Sequence, residues 1–449
     1  MRLPVFDRRR AGALLPLSAL EAALGRGGRA FVDWMAEAGF SVWQILPAGP
    51  VGAEGSPYWV RSDWAGNARF LDPAELPDAH APPAAQFLAD SAHWLADYAL
   101  FEALTRVHGG APFWQWPAAL RDRDARALDT ARSGLGAELA VIEREQYAFH
   151  VQWERLREYA RGRGVRLFGD LPFYVAPSSS ETWTHRTLFQ LMASGEPAMV
   201  GGVPPDYFSA LGQLWGNPVY DWLAHAREGY AWWVGRVRAQ LGRLDLLRLD
   251  HFRALAAYWA VPAGAPDARG GVWHRAPGAE LLARLREEFS DLPLAAEDLG
   301  VITPDVVALR DGFGLPGMRV LQFAFEGDAA NPHRPYLYER SSIAYTGTHD
   351  NDTALGWYSH LDAATAARVR LYLGAAAGAV PEALIRAALG SVARLAIVPV
   401  QDLLGLGSEA RLNLPGTVGG NWSWRLPPAA LTPELARRYA ELNAVYGRS

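Results

Sequence analysis

The chain has no cysteine and no lysine among its 449 residues. The absence of cysteine excludes disulfides, thiolate nucleophiles and cysteine-ligated zinc or iron–sulfur sites. The absence of lysine excludes Schiff-base chemistry, attachment of pyridoxal phosphate and a lysine-containing phosphate loop. All 43 basic residues are therefore arginine. Any chemistry on this chain must come from carboxylates, histidine, hydroxyl groups or arginine.

A strong net charge and a long apolar run are also missing. The net charge of −5 gives no general reason to expect a nucleic acid or an anionic membrane as partner. No apolar run approaches the ~18 residues of a membrane-spanning helix. Residues 8–25 have the outline of a secretory signal, but Glu21 interrupts the apolar stretch and no clean cleavage site follows. We therefore predict a cytoplasmic protein without nucleic-acid or membrane partners.

Eight short apolar runs are spread along the chain, and each ends in glycine, proline or acidic residues. Runs without polar alternation indicate strands that are buried on both faces. The runs contain or begin at Gly12, Ser41, Val165, Leu244, Leu292, Met318, Ser342 and Leu395. Helical patterns lie between most of them, so the sequence predicts a parallel (β/α)8 barrel with its site at the carboxyl ends of the strands. A doubly wound sheet is the alternative, but no glycine-rich phosphate turn follows any run.

The uneven spacing of the runs predicts insertions within a single catalytic barrel domain, residues 1–449. We predict a helical subdomain at residues 72–148, between the second and third strands. A second long segment, residues 176–230, contains "GGVPPDYFSALGQLWGNP", which has many aromatic residues but no helical or strand period. Because long irregular stretches in a compact domain are usually functional loops or lids, we predict a substrate-loop subdomain there.

Acidic residues follow four of the predicted strands, where side chains enter the barrel mouth. They are Asp170, Asp250, Glu297 with Asp298, and Asp350. One acid at such a position is ordinary helix capping, but several facing one opening are costly unless the site uses them. Arg248 points the same way as Asp250 along its strand and could keep a carboxylate ionised. We assign His251 and Arg253 structural roles.

Paired carboxylates in a concave site either bind a metal or cleave a glycosidic bond. The stretch "HDND" at residues 349–352 is the candidate for a metal. The 18 tryptophans favour a sugar, because aromatic faces stack on the apolar faces of sugar rings. Trp34 and Trp153 are expected in the core. Others lie in predicted loops: Trp59, Trp64, Trp114, Trp116, Trp215, Trp422 and Trp424.

Several longer motifs resemble the 4-alpha-glucanotransferases, the amylomaltase or disproportionating-enzyme family (glycoside hydrolase family 77). They are "GDLPFYVA", "GVPPDYFSALGQLWGNP", "LLRLDHFR", "AAEDLG", "YTGTHDNDT" and "LLGLGSEARLNLPGTVGGNWSWRLPP". The resemblance runs from about Ala11 onward in the family's order. It implies cofactor-free, retaining transfer of a 1,4-alpha-glucan segment from a donor to a sugar acceptor. It also implies a barrel that lacks the separate C-terminal β-domain of alpha-amylases.

The resemblance implies roles for particular residues as well. Asp250 would be the nucleophile, Glu297 the general acid/base, and Asp350 the acid that binds the distorted donor sugar. Arg248 and His349 would hold the donor ring, and Tyr58 would stack at the cleavage subsite. The remaining substrate-binding residues would be Asp170, the loop residues Tyr207, Phe208 and Trp215, and the acceptor-binding Asn421.

The chemistry of the residues agrees with these roles. Retaining transfer needs a carboxylate and a protonated acid about 5–5.5 Å apart. We expect Asp250 beside Arg248 to stay ionised, and Glu297, amid other acids in a closed site, to have a raised pKa. A glucan hydrolase of similar barrel and a non-catalytic glucan-binding protein are the alternatives. The products from one pure maltooligosaccharide separate the first from a transferase, and the intact acid pair counts against the second.

Overall fold

The computed structural model describes residues 4–52, 54–78, 82–205, 209–417 and 419–448. The strands within these ranges are β1 (Arg10–Leu14), β2 (Val42–Gln44), β3 (Arg166–Leu171), β4 (Met199–Val203), β5 (Gln213–Pro218), β6 (Leu246–Leu249), β7 (Ala257–Pro262), β8 (Val272–Arg275), β9 (Leu294–Ala296), β10 (Gly317–Val320), β11 (Ser342–Tyr345) and β12 (Leu395–Pro399). The α-helices are α1 (Arg26–Glu37), α2 (Ala85–Ser91), α3 (Leu95–Val107), α4 (Ala118–Arg121), α5 (Ala125–Gly134), α6 (Gly136–Gly162), α7 (Ser180–Thr184), α8 (Trp222–Arg227), α9 (Ala231–Arg243), α10 (Gly278–Glu288), α11 (Pro304–Gly312), α12 (Ala354–Ser359), α13 (Ala363–Leu373), α14 (Val380–Gly390), α15 (Val400–Leu403) and α16 (Pro433–Val445).

Eight strands form a parallel sheet in the order β10-β11-β12-β1-β2-β3-β6-β9. The two edges of this sheet meet, because the N–H of Ala296 at the end of β9 donates to the carbonyl of Pro316, just before β10, at 2.9 Å. The strands follow one another around the ring in chain order. The predicted (β/α)8 barrel is therefore confirmed, and each of the eight predicted runs supplies one of its strands.

Successive residues of a barrel strand belong to two different apolar clusters. Ile343 and Tyr345 of β11 lie in a cluster with Phe168 of β3, which fills the barrel interior. Ala344, between them, lies in the larger cluster that joins the strands to helix residues such as Leu384 of α14. Both faces of the strand are buried, which is why the barrel strands appear in the sequence as continuous apolar runs.

A second sheet is antiparallel and has the order β5-β4-β7-β8. Its strands come from the segments that follow β3 and β6. The prediction that residues 201–218 have no strand structure was wrong, because these residues contribute to β4 and β5. A Cβ atom at Gly201 would lie 2.4 Å from the ring of Tyr174, and one at Gly202 would lie 2.3 Å from the carbonyl of Gln213. The close approach of these groups requires glycine, and glycine hides the alternation that marks a strand.

The long segment between β2 and β3 contains helices α2 to α6. Its longest helix, α6, has 27 residues. Trp153 and Leu156 near the end of α6 are buried in the cluster between barrel and helices, so this helix connects the insertion to the barrel. Residue 148 lies inside α6, and the subdomain limits 72–148 and 176–230 stay predictions.

Within the described ranges, no single helix is long and apolar enough to cross a membrane. One pair of neighbouring helical segments, Ala363–Leu373 and Ala377–Gly390, reaches the required length and composition together, but the two are bent by 68°. Leu384 and Leu389 in the second of these segments are buried in the core, so their apolar side chains already have protein partners.

Candidate active site

An arginine at the carboxyl end of β6 lies between two carboxylates. Nη1 of Arg248 is 2.6 Å from Oδ2 of Asp170, and Nη2 is 2.7 Å from Oδ1 of Asp250. Arg248 and Asp170 are direct partners in the pairing of β6 with β3, so the register of the barrel brings them together. Arg248 and Asp170 are buried, whereas the Asp250 side chain is 27% exposed. Asp250 is thus the member of the group that faces the opening.

Aromatic rings extend this group across the barrel mouth. The Tyr58 hydroxyl donates to Oδ2 of Asp170 at 2.7 Å and lies 2.8 Å from Nε2 of His349. The Tyr58 and His349 rings are stacked, with centroids 5.3 Å apart and an interplanar angle of 21°. Trp422 lies beside both rings, at 5.9 Å from Tyr58 and 6.0 Å from His349. The segments that follow β2, β11 and β12 therefore contribute to one cluster of aromatic rings.

Asp350 follows β11 and is held by a distant segment of the chain. Its Oδ1 accepts from Nδ2 of Asn413 at 2.7 Å, its main-chain carbonyl accepts from Arg411 at 2.7 Å, and its Oδ2 lies 3.3 Å from Nε2 of His349. The side chain is 44% exposed. Sequence reasoning missed Asn413 and Arg411, although both lie in the motif "SEARLNLPG", because no local pattern links them to a strand end about sixty residues earlier.

Two main-chain amides hold the carboxylate of Glu297. The N–H of His251 donates to Oε2 at 2.8 Å, and the N–H of Leu299 donates to Oε1 at 2.9 Å. The neighbouring Asp298 is buried and accepts from the N–H of Met318 at 2.6 Å. It also pairs with the guanidinium groups of Arg310 and Arg319. The prediction that every strand-end acid faces the same opening was therefore wrong for Asp298, since successive side chains point in opposite directions.

The two central acids have different pKa values. Burial raises the pKa of Asp250 to about 6, with Arg248 opposing the rise and Asp170 adding to it. Burial raises the pKa of Glu297 further, to about 8, and the charge of Asp250 adds to this rise. The sequence predicts the rise for Glu297 but not the one for Asp250, because burial of Asp250 outweighs the attraction of Arg248. Near neutral pH, Asp250 is ionised and Glu297 protonated, which is a pairing suited to a base and an acid.

His349 and Asp350 form a separate ion pair at the rim. Burial disfavours the charged form of each, but their mutual attraction outweighs it, so the pKa of Asp350 is lowered and that of His349 is raised. Burial and the charge of Asp170 raise the pKa of the Tyr58 phenol well above its usual range, so this hydroxyl keeps its proton and remains a donor.

The structure describes two of the four remaining predicted binding residues, Trp215 and Asn421. Trp215 lies on β5, and its ring meets the ring of His251 edge-on, with centroids 4.7 Å apart. The side chain of Asn421 is engaged within its own loop, where it accepts from the N–H of Leu414 at 3.0 Å and donates to the carbonyl of Thr417 at 3.2 Å. The predicted residues Tyr207 and Phe208 lie outside the described ranges.

Two of the tryptophans that we assigned to sugar-binding loops are core residues. Trp64 is 6% exposed and packs in the main cluster, and Trp116 is 3% exposed and packs in the core of the helical insertion. Aromatic residues in irregular segments also fill the space under long loops, and composition does not separate the two uses. Trp34 and Trp153 lie in the core as predicted.

Asn351 and Asp352 of the "HDND" stretch are both engaged in hydrogen bonds within the protein. Oδ1 of Asn351 accepts from the N–H and the hydroxyl of Thr348, both at 2.9 Å. Oδ2 of Asp352 accepts from the hydroxyl of Ser408 at 2.6 Å. In the part of the chain that the structure describes, no three histidine, aspartate or glutamate side chains are grouped as a metal site. The metal interpretation of this stretch therefore has no support in its geometry.

A (β/α)8 barrel that presents an ionised and a protonated carboxyl group beside stacked aromatic rings has the architecture of a carbohydrate-active enzyme. A family model described as 4-alpha-glucanotransferase matches residues 15–82 and 76–432 of the chain. The chain therefore belongs to the 4-alpha-glucanotransferase family, and it is an enzyme of the glycosyltransferase class. Both statements agree with what the motifs imply.

Individual relatives support this membership. The chain is 44% identical to the 4-alpha-glucanotransferase of Thermus thermophilus over 465 residues, which covers 92% of this chain and 93% of that protein. It is 41% identical to the 4-alpha-glucanotransferase of Synechocystis sp. over 501 residues, with 99% of each covered. The solved amylomaltase of Streptococcus agalactiae, in complex with acarbose, has a TM-score of 0.93 at 32% identity, and the match covers 98% of this chain and 100% of that one.

Proposed function

We propose that this protein transfers 1,4-alpha-glucan segments from a donor to a sugar acceptor, with retention, through a covalent glucosyl-enzyme intermediate. The observation that carries the proposal is the difference in protonation between two carboxyl groups. Near neutral pH, Asp250 is ionised beside Arg248, and Glu297 is protonated. Membership of the 4-alpha-glucanotransferase family supports the choice of substrate, a maltooligosaccharide or longer alpha-glucan.

The first step transfers the donor sugar to the enzyme. An oxygen of Asp250 attacks the anomeric carbon while the bond from that carbon to the glycosidic oxygen breaks. Glu297 gives its proton to the departing oxygen, so the remaining glucan leaves as a neutral alcohol. Arg248 orients Asp250, and the His349–Asp350 pair binds hydroxyls of the donor sugar. The ring of Tyr58 stacks on the sugar at the cleavage position.

The second step releases the sugar to an acceptor. Glu297, now ionised, takes the proton from an acceptor hydroxyl, and the acceptor oxygen attacks the anomeric carbon. The ester bond to Asp250 breaks, and both carboxyl groups return to their starting states. Two successive inversions at the anomeric carbon give overall retention. The carboxyl groups supply all the acid–base chemistry, so the proposal includes no metal and no nucleotide.

Water competes with the acceptor in the second step, and this competition separates a transferase from a hydrolase. Trp422 and Trp215 offer aromatic surface for an acceptor chain near the opening. We propose that Tyr207 and Phe208, outside the described ranges, belong to a loop that closes over the glucan and excludes loose water. Asn421 stays a proposed acceptor contact, and a cytoplasmic location stays a prediction.

Incubation with pure maltotriose tests this function. The expected products are glucose and a ladder of longer maltooligosaccharides, with total reducing ends nearly constant because each cleavage is matched by a new glycosidic bond. A steady rise in reducing ends without longer products would overturn transfer in favour of hydrolysis. Binding of maltotriose without any change in its length would instead identify a non-catalytic glucan-binding protein.

A further inference from the structure

His251, directly after Asp250, has a main-chain conformation that is rare for a residue with a side chain. Its φ is 48° and its ψ is 47°, in the left-handed region. Such a conformation is unfavourable for histidine and persists only where the surroundings hold it. The residues that surround His251 therefore indicate why the chain adopts this turn.

The turn at His251 directs main-chain N–H groups toward Glu297. The N–H of His251 donates to Oε2 of Glu297 at 2.8 Å, and the N–H of Phe252 donates to the carbonyl oxygen of Glu297 at 3.2 Å. Both the side chain and the main chain of Glu297 are thus attached to the two residues that follow Asp250. A different conformation at His251 would move the first of these donors away from the carboxyl group.

The imidazole of His251 is engaged on the other side, by the antiparallel sheet. Its ring meets Trp215 of β5 at a centroid distance of 4.7 Å and an angle of 88°. Its Nε2 is buried and has no hydrogen-bond partner among the described atoms. Burial, with a contribution from Arg253, lowers the pKa of the imidazole to about 3. The ring is therefore neutral and acts through packing.

Arg253 makes a second connection between the same two regions. Its guanidinium lies 4.0 Å from the ring centroid of Trp273 on β8, and its Nη1 donates to the carbonyl of Val301 at 2.6 Å. Val301 lies four residues after Glu297, in the loop that carries the acid. The segment after Asp250 therefore joins the antiparallel sheet to the Glu297 loop at two points.

We infer that His251 is a positioning residue: packing of its ring against Trp215 holds the left-handed turn, and the turn holds its N–H on the carboxyl group of Glu297. Contact of a glucan with Trp215 is thereby coupled to the orientation of the acid. This inference rests on the proposed function, since it assumes that Glu297 donates the proton.

Three substitutions at His251 separate the ring from the turn. Phenylalanine keeps an aromatic ring against Trp215, asparagine loses the ring but accepts a left-handed conformation more readily than most residues, and alanine loses the ring and disfavours the turn. Transfer from maltotriose should fall by about 10- to 100-fold in kcat for His251→Ala, with KM changed by no more than about three-fold. His251→Phe should retain most activity, and His251→Asn should lie between the two.

The donor alpha-glucosyl fluoride distinguishes positioning of the acid from general damage. Fluoride leaves without a proton from Glu297, so fluoride release in the first turnover should change by less than about three-fold in His251→Ala. Because Trp215 positions the acid through His251, adding Trp215→Ala to His251→Ala should lower the maltotriose kcat little further, whereas loss of its acceptor surface should raise KM. Equal losses with both donors would overturn the inference. Inactivity of His251→Phe equal to that of His251→Ala would also overturn it.

Glu297→Gln separates failure of this inference from failure of the proposed function. If Glu297 is the acid, this variant loses transfer from maltotriose but keeps first-turnover release of fluoride. Retained maltotriose transfer in Glu297→Gln would overturn the proposed function itself. If Glu297→Gln shows the donor difference and His251→Ala does not, only the role of His251 is overturned.

Discussion

Two buried arginines lie at opposite ends of the barrel, and their partners differ in kind. Arg248, at the carboxyl ends of the strands, is paired with the carboxylates of Asp170 and Asp250. Arg448, at the amino ends, donates to main-chain carbonyl oxygens. These are the carbonyls of Leu389 at 2.6 Å, Arg10 at 2.8 Å, Ala393 at 2.8 Å, Ser391 at 3.1 Å, Arg394 at 3.3 Å and Ala388 at 3.4 Å. Arg248 is thus paired with charged groups, whereas Arg448 is hydrogen-bonded to neutral main-chain dipoles.

The pKa values of the two guanidinium groups move in opposite directions. Burial lowers the pKa of both. For Arg248, Asp170 and Asp250 reverse this effect and raise the pKa well above its usual range. For Arg448 the carbonyl dipoles do not reverse it, and burial together with the nearby Arg9 lowers the pKa to about 9. The comparison shows that Arg248 orders two carboxylates at the candidate active site, whereas Arg448 satisfies the carbonyls around the start of β1 and the segment before β12.

Removal of the carboxylate that Arg248 holds should have the largest effect. Asp250→Asn should reduce transfer from maltotriose by 10⁴-fold or more, as an order of magnitude, because an amide cannot attack the anomeric carbon. Glucan affinity, measured by calorimetry, should stay within a few-fold because the amide keeps the shape of the acid. Asp245, just before β6 at the other end of the same strand, provides the control, and Asp245→Asn should remain active. Near-normal turnover of Asp250→Asn would show that the nucleophile is another residue.

The next largest effect should follow from changing the geometry of the side chain at Arg248 while keeping its charge. Arg248→Lys replaces a planar fork by a single ammonium group, which cannot offer Asp170 and Asp250 a separate nitrogen each as the guanidinium does. We expect a loss of about 100-fold in kcat for maltotriose, as for a small misplacement of a reacting group. Arg448→Lys at the other end should leave kcat of the folded enzyme unchanged. Equal losses in the two variants would remove the functional difference between the two arginines.

The free energy of unfolding, unlike kcat, should depend on Arg448. Arg448→Met leaves buried carbonyl oxygens without a donor, and the free energy of unfolding should fall by about 2–4 kcal/mol. Unfolding in urea measures this change, and assays at 25 °C should find the same kcat per folded molecule. Arg437, whose side chain is 69% exposed, provides the control, and Arg437→Met should change stability by less than about 0.5 kcal/mol. An unchanged urea midpoint for Arg448→Met would contradict the inference that Arg448 stabilises the amino ends of the barrel strands.

The smallest expected effect is on the pH profile. The proposed mechanism requires ionised Asp250, so we expect activity to be lost as pH falls through about 6, and it requires protonated Glu297, so we expect activity to be lost as pH rises through about 8. The value of kcat/KM should fall about 10-fold per pH unit beyond each limit. Because Arg248 lowers the pKa of Asp250, loss of the contact between them in Arg248→Lys should move the acid limit upward, whereas Arg448→Met should move neither limit. A flat profile between pH 5 and 9 would contradict the assignment of the two acids.

The local signals in the sequence were sufficient to predict the barrel and the positions of its acidic residues along the strands. An apolar run that is buried on both faces leaves a continuous pattern, so the strands, including β11 (Ser342–Tyr345), could be predicted. An acid directly after such a run, such as Asp250 or Glu297, lies at the carboxyl end of its strand by chain connectivity. The hairpin of β4 and β5 could not be predicted, because close packing requires glycine at Gly201 and Gly202.

The sequence by itself determined which residues stand at the ends of the strands, and the tertiary structure alone decided what each of them faces. Tyr58 meets Asp170 from 112 positions away, and Asn413 meets Asp350 from 63 positions away. Asp298 turns from the opening toward Arg310 and Arg319, although it stands next to Glu297. The physical reason is that the periodicity of a strand is set within a few residues, whereas partners across the barrel depend on where long connecting segments return.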